Sequence, residues 1–170
     1  MKNFFLSLLL LLLVGSCRKE EVSELQSEYF IKFYGSYMED VGYDIQETED
    51  GGLVIVGSEQ RENTGKDIVL IKVDEYGNQA DWSPKYFGSG GDDEGFAVKV
   101  LNDGYIIAGT ISDNDGNKDA YVIRTNSQGN IVGQEYFYRT EDDDLAVSIE
   151  SREDGGYVVV GYSENPSGLS

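Results

Sequence analysis

The hydrophobic residues of this chain come in short runs that are separated by glycine, aspartate and asparagine. Three runs begin at Leu53, Tyr105 and Tyr157, and their starts are 52 residues apart without a gap. A second pair of runs, 67–72 and 119–124, keeps the same spacing. Self-similarity at a fixed period marks a repeat architecture, in which each unit buries its apolar face against its neighbours. The chain is therefore predicted to consist of structural repeats.

Four short strands are predicted within one period. In the second repeat they cover roughly 96–101, 105–111, 119–125 and 131–138, and each is rich in Val, Ile, Tyr or Phe. The Asp-Gly and Gly-Asn pairs between the runs tolerate the positive φ that hairpin turns require. Consecutive strands should therefore pair as an antiparallel meander.

The aliphatic runs do not alternate with polar residues. A run such as Val54-Ile55-Val56 is typical of a strand that is buried on both faces. One four-stranded sheet cannot cover both of its own faces, so neighbouring repeats must stack on each other. Radially stacked four-stranded sheets are the blades of a β-propeller. We expect an all-β fold of antiparallel four-stranded blades, stacked as an incomplete β-propeller of about two and a half blades.

The order of motifs within a repeat resembles that of bacterial extracellular β-propeller proteins, which are often lipoproteins. The first two repeats have Asp-Gly-Gly-Tyr or a close variant, an aliphatic run, Gly, a variable loop, Asp, a second aliphatic run, Gly-Asn and an aromatic strand, and the partial third repeat begins in the same way. The segment 73–82, with Trp82 at its end, also looks like the strand-turn-Trp segment of quinoprotein-type propellers, although the second repeat has Gln134 and Glu135 there. The resemblance implies a propeller fold, which hosts many unrelated activities.

The repeats are expected to fill residues 29–170. They divide into a leading strand at 29–34, repeat one at about 43–87, repeat two at about 96–138 and a partial repeat three at about 145–170. A propeller has about four to eight blades. We therefore predict that this sequence is the N-terminal part of a longer propeller or a shortened relative of one. Open blade edges would favour self-association.

The N-terminus predicts export and a lipid anchor. The apolar stretch at 4–15 follows Lys2 and reaches about 18 Å as a helix, whereas a hydrocarbon core is about 30 Å thick, so 1–16 is read as a signal peptide. Val14-Gly15-Ser16-Cys17 resembles the lipobox of bacterial lipoproteins, which implies lipid attachment at Cys17. Several acyl chains there would hold the protein at a membrane.

A polar tether is predicted at 17–28, between the lipid and the repeats. It begins with Cys17-Arg18-Lys19-Glu20-Glu21, in which a basic pair and two acids follow the cysteine. This order looks like the signal that some Gram-negative bacteria use to place lipoproteins on the outer surface, and a solvated charged tether is the alternative. The predicted location is the outer membrane, with the body at the cell surface.

The negative charge of the chain limits the classes of molecule that it can bind. The formal net charge is −19, and without residues 1–16 it is −20. Such a surface repels a phosphate backbone, so nucleic acid is excluded as a partner, while cations and basic proteins are attracted.

The absence of histidine removes the usual general base, most zinc sites and the Ser-His-Asp triad. The chain is therefore predicted not to be an enzyme.

One loop has the oxygen pattern of a calcium site. Asp113, Asp115, Asn117 and Asp119 place side-chain oxygens at alternate positions, as calcium ligation requires. The loop departs from an EF-hand because Arg124 stands where that loop has its bidentate Glu. A polar hairpin loop is the alternative interpretation.

Acidic clusters precede the first strand of each repeat, and two tyrosines lie in loops. The candidate ligand-binding residues are Asp92, Asp93, Asp142, Asp143, Tyr37 and Tyr76. Because the clusters occupy one repeat position, they should gather on one rim and bind cations or a basic partner. An ordinary solvated loop is the alternative for each of them.

The function predicted from sequence is non-catalytic. We expect a surface-displayed, propeller-type binding or scaffold module for a glycan, peptide or protein partner. The alternative is an enzyme or an enzyme accessory subunit of quinoprotein-like or polysaccharide-acting type.

Overall fold

The computed structural model describes residues 31–113 and 115–164, and the secondary structure of these residues consists of β-strands. The strands are β1 (Asp40–Glu47), β2 (Leu53–Arg61), β3 (Gly65–Val73), β4 (Lys85–Phe87), β5 (Glu94–Leu101), β6 (Gly104–Ser112), β7 (Lys118–Asn126), β8 (Tyr136–Tyr138), β9 (Asp143–Ser151) and β10 (Tyr157–Glu164). The predicted signal peptide, Cys17, the tether and the residues after 164 lie outside this range. No helix within it is long and apolar enough to span a bilayer.

The strands form three antiparallel sheets in chain order. The first sheet is β1-β2-β3-β4, the middle sheet is β5-β6-β7-β8, and the last sheet pairs β9 with β10. Within each sheet, every strand pairs with the next one along the chain. The predicted all-β fold of antiparallel four-stranded blades is confirmed, and the sheets do not close into a ring.

Two predicted strands differ from the structure. The strand expected at 131–138 is reduced to β8, because Gly133 turns the chain with φ +78° and Ile131 makes only an isolated bridge to Thr125. The described part of the expected leading strand, 31–34, forms no strand. Among the described residues no strand pairs with this segment, although Tyr34 packs against the first sheet.

One type of turn recurs where strands are connected. Its first residue donates a backbone N–H to the carbonyl of the fifth, and the fourth donates to the carbonyl of the first. The turns are Thr48–Gly52, Asp74–Asn78, Asp113–Asn117, Asn126–Asn130 and Arg152–Gly156. The fourth residue is a glycine in each, with φ values such as +73° at Gly77 and +69° at Gly129. The repeated Gly therefore meets a backbone requirement.

The core lies between stacked sheets. Strand β5 packs on β1, β2 and β3, and β9 packs on β5, β6 and β7. The larger apolar cluster joins the first and middle sheets and comprises Val54, Val56, Ile68, Leu70, Phe87, Val98, Tyr105, Ile107, Tyr121 and Ile123. The smaller one joins the middle and last sheets and comprises Ala97, Ile106, Ala108, Ala146 and Ile149. Stacking therefore buries both faces of the middle sheet, as the unbroken aliphatic runs require.

Each sheet has two faces, which we call upstream and downstream. The upstream face points to the sheet that precedes it in the chain, or away from the middle sheet in the case of the first sheet. The downstream face is the opposite one. The upstream face of the first sheet carries Val69, Ile71 and Val73. The last sheet exposes Val158, Val160 and Tyr162 on β10.

Candidate binding rim

The acidic segments of the three repeats lie at the same end of their sheets. Successive strands run in opposite directions, so the segments before β1, β5 and β9 share one end with the β2–β3 and β6–β7 hairpins. We call this end the acidic rim. It comprises residues 36–40, 59–66, 89–94, 112–113, 115–119 and 140–144.

Acidic residues on this rim connect one sheet to the next. The backbone N–H of Lys66, at the start of β3, donates to the Asp92 carboxylate at 3.1 Å. The N–H of Lys118, at the start of β7, donates to Asp143 at the same distance. The backbone N–H of Asp93 donates to the Lys66 carbonyl at 2.7 Å. These bonds make the predicted binding residues Asp92 and Asp143 part of the contact between sheets.

The structure corrects the prediction that Asp93 is a ligand-binding residue. Its side chain is fully buried and accepts the backbone N–H of Ser89 at 2.6 Å and of Ser112 at 2.7 Å. Burial raises the pKa of this carboxyl, and the N–H donors oppose that rise. Asp93 therefore braces the segment before β5 against the middle sheet and offers no surface to a ligand.

The other repeats contain an equivalent aspartate, which accepts a backbone N–H from the residue four positions before it. We call this arrangement the Asp brace. Asp40 accepts the N–H of Ser36 at 2.7 Å, and Asp144 accepts the N–H of Thr140 at 2.6 Å. A Ser or Thr four residues before the Asp was the sequence signal for this structural role. Asp142, by contrast, stays partly exposed, and its own N–H donates to the Thr140 hydroxyl. Asp92 is exposed as well.

The predicted calcium residues are held by bonds of their own. Asp113 accepts the N–H groups of Asp115 and Asn117 in the recurrent turn, each at 2.9 Å. Asn126 closes the next such turn with an uncharged amide, so the turn itself requires no cation. Asp119 is buried and pairs with the guanidinium of Arg139 at 2.8 Å. Among the described residues, no three acidic side chains are placed to hold a metal ion. The calcium site stays a prediction.

The two candidate tyrosines lie at opposite ends of the first sheet. Tyr37 belongs to the acidic rim, is 84% exposed and donates its hydroxyl to Glu62 at 2.7 Å. This hydrogen bond raises the pKa of Tyr37. Tyr76 lies in the turn after β3, which places it at the other end of the sheet. The structure therefore does not bring the two tyrosines together.

No known protein family matches the chain. No curated protein matches it either.

Two grooves occupy equivalent positions on the acidic rim. Groove 1 has a volume of about 360 Å³ and is lined by 36–38 and 59–64. Groove 2 has a volume of about 420 Å³ and is lined by 89–92, 112–113, 115–116 and Lys118. In both, the segment before the first strand of a sheet faces a hairpin that follows a second strand. Sequence reasoning identified the hairpin as a variable loop and the segment before the first strand as acidic, but it did not predict that the two face each other across a groove.

The linings of the two grooves differ in chemistry. In groove 1 the Arg61 guanidinium lies 3.9 Å from the centre of the Tyr86 ring and 3.8 Å from the Glu59 carboxylate. The Tyr86 hydroxyl donates to Glu59 at 3.1 Å, which holds this cluster together. Burial raises the pKa of Tyr86. Groove 1 therefore presents the Arg61 cation and the Tyr37 phenol beside the carboxylates of Glu59 and Glu62.

Groove 2 is lined by more carboxylates than cations. Asp92, Asp113 and Asp115 line it together with Lys118. The Lys118 ammonium is paired with Glu94 at 3.1 Å. The potential of groove 2 is therefore negative, and a cationic group would be attracted to it.

Proposed function

We propose that the chain is a non-catalytic binding or scaffold module, displayed on the cell surface by a lipid at Cys17 and belonging to a longer propeller. Its acidic rim would bind a peptide, glycan or protein partner. One observation carries this proposal: a groove of the same construction occurs in two successive repeats with different linings.

Each groove combines walls that are fixed by hydrogen bonds with lining side chains that are exposed. In groove 2 the buried Asp93 and the Ser112 backbone hold the two walls, with Ser89 donating its hydroxyl to the Ser112 carbonyl at 2.5 Å. The lining side chains, such as Asp115 in groove 2 and Tyr37 in groove 1, point to solvent. Exposed loops on a braced scaffold are the usual location of binding residues.

The charge of groove 2 favours a particular ligand class. Its carboxylates match a peptide or protein segment that carries Lys or Arg, because complementary potential speeds association and selects partners. Tyr37 in groove 1 adds an exposed aromatic ring, which can pack on a sugar or on the aliphatic part of a lysine side chain. We therefore favour a cationic peptide segment, followed by a glycan.

Binding is tested with the exported chain carrying Cys17→Ser, which removes the lipid. Arrays of basic peptides, neutral peptides and oligosaccharides identify the class, and titration calorimetry gives the affinity for the best probe. Asp115→Asn should weaken a basic peptide about two- to fivefold, the range of an exposed ion pair. Asp81→Asn removes the same charge at the opposite rim and should leave the affinity unchanged. Equal effects of both substitutions, or a preference for anionic probes, would contradict the proposal.

A further inference from the structure

We propose that a pocket at the end of the sheets opposite the acidic rim binds one sugar unit of a glycan. We call it the turn pocket, because it lies between the turns that precede β2 and follow β3 in the first sheet and the start of β6 in the middle sheet. Its lining includes Asp50, Lys72, Gln79, Asp81, Trp82 and Tyr105. The turn pocket is a separate site, so it does not depend on the proposed function of the acidic rim.

Two stacked four-stranded sheets build the turn pocket. Asp50 and Trp82 come from the connections of the first sheet, whereas Tyr105 and Ser127 come from the middle sheet. Sheets stack through their faces and the pocket lies at their turns, so it is complete between these two sheets. Its volume of about 400 Å³ falls within the range of about 300–1,000 Å³ that small-molecule sites occupy.

Trp82 provides an aromatic wall that is fixed in place. It is partly buried and packs against the apolar cluster that joins the first and middle sheets. A Cβ atom on Gly129 would come within 2.8 Å of its Cζ3 atom, so the six-membered ring of Trp82 lies directly against this glycine of the middle sheet. A rigid aromatic ring beside a few polar groups is a suitable surface for the C–H face of a sugar ring.

The hydroxyl of Tyr105 supplies an unpaired polar group at the turn pocket. Tyr105 is 4% exposed, and none of the described residues forms a hydrogen bond with this hydroxyl. Tyr121, which is similarly buried, donates its hydroxyl to Glu135. Burial and the nearby charge of Asp50 raise the pKa of Tyr105, so its hydroxyl keeps its proton. Because a buried hydroxyl without a partner costs free energy, a ligand oxygen that accepts its hydrogen bond would be stabilising.

The remaining polar groups of the turn pocket suit a neutral ligand. The buried Lys72 ammonium is paired with the Asp50 carboxylate at 3.0 Å, so this cation is already neutralised within the pocket. The Gln79 amide and the Asp81 carboxylate are exposed and can bond to ligand hydroxyls. Together with the Tyr105 hydroxyl they offer donors and acceptors beside an aromatic ring. A sugar carries both hydroxyls and an apolar C–H face, and it therefore matches this combination.

The same backbone carries different side chains in the next repeat. Residues 79–82 read Gln-Ala-Asp-Trp, and the equivalent residues 131–134 read Ile-Val-Gly-Gln. In both segments the second residue donates its backbone N–H to a carbonyl of the preceding strand at 2.9 Å. The first residue of each makes an isolated bridge to that strand. The fold therefore does not require the amide, carboxylate and indole of 79–82, and we assign these groups to a ligand.

Tryptophan fluorescence tests the turn pocket directly, because Trp82 is the only tryptophan of the chain. The exported Cys17→Ser chain is titrated with glucose, galactose, mannose and N-acetylglucosamine, and separately with acetate and tetramethylammonium as an anion and a cation. At least one sugar should change the emission in a saturable way, since a sugar ring on Trp82 displaces water from the indole. No saturable change with any of the four sugars, or a change with an ion instead, would overturn the proposal.

Removal of single hydroxyls locates the binding. Tyr105→Phe should weaken the best sugar about three- to tenfold, the range of one hydrogen bond. Its melting curve should stay close to that of wild type, because the Tyr105 hydroxyl has no partner to lose among the described residues. Tyr121→Phe makes the same change at a paired tyrosine, and Tyr37→Ala removes a ring from the acidic rim, so both should leave the sugar affinity unchanged. An unchanged affinity of Tyr105→Phe, or equal losses for Tyr105→Phe and Tyr121→Phe, would contradict the assignment.

Discussion

The middle sheet and the last sheet share nearly the same sequence pattern but differ in burial. Residues 105–109 read Tyr-Ile-Ile-Ala-Gly, and residues 157–161 read Tyr-Val-Val-Val-Gly. Ile107 is buried, whereas Val159 at the same position is 41% exposed. Both residues lie on the upstream faces of their sheets, but β6 also pairs with β7, whereas β10 is the edge strand of the described part of the last sheet. The burial of a repeat position therefore depends on the neighbouring strands as much as on the residue itself.

The largest expected effect comes from truncating this shared position in both sheets. Ile107→Ala should lower the free energy of unfolding by about 2–5 kcal/mol, because it leaves a cavity between the first and middle sheets. Val159→Ala should cost less than about 1 kcal/mol, since a partly exposed side chain loses little burial. Urea unfolding followed by circular dichroism measures both values.

Ile107→Val provides the matched control for that pair. It removes a single methylene and should cost about 0.5–1.5 kcal/mol. Equal losses for Ile107→Ala and Val159→Ala would show that the last sheet is covered in solution.

The second expected effect compares the Asp brace in two sheets. Asp93→Asn should cost about 2 kcal/mol, because the new amide NH2 is fully buried and must face the backbone N–H donor of Ser89 or Ser112. Asp40→Asn should cost less than about 1 kcal/mol, since Asp40 is exposed and water can replace its bond to Ser36. Thermal melting of both variants measures the difference. Similar losses would mean that the rim of the first sheet is buried in solution.

The strands and turns could be predicted because their causes are local. The recurrent Gly marks a turn that needs positive φ, and the aliphatic runs mark strands that need cover on both faces. Asp93 could not be assigned correctly from its acidic neighbours, because its burial depends on Ser112, which belongs to the hairpin end of another strand. The grooves could not be predicted either, because each one forms between two segments that are distant in the sequence.

The smallest expected effect concerns a turn that both regions share. Asp50, in the turn before β2, accepts the Thr48 hydroxyl at 2.5 Å and pairs with the Lys72 ammonium of β3 at 3.0 Å. The hydrogen bond from Thr48 and then that from Lys72 lower the pKa of Asp50 to about 2. Asp154, at the same position in the last sheet, has its pKa lowered by the adjacent Arg152, a partner from the same turn.

Asp50→Asn should therefore have a pH-dependent cost that Asp154→Asn lacks or shows more weakly. A lowered pKa in the folded state stabilises the fold above the unfolded value of 3.8, and this contribution is lost as the pH falls towards about 2. Because the Asp50 side chain is largely exposed, the loss at neutral pH should not exceed about 1 kcal/mol. Urea midpoints of wild type and variant should differ at neutral pH and converge in acid, where wild-type Asp50 is itself protonated. A difference that stayed constant with pH would assign the effect of the variant to the geometry of the turn, and an equal effect of Asp154→Asn would show that the strand-borne Lys72 adds nothing beyond a local partner.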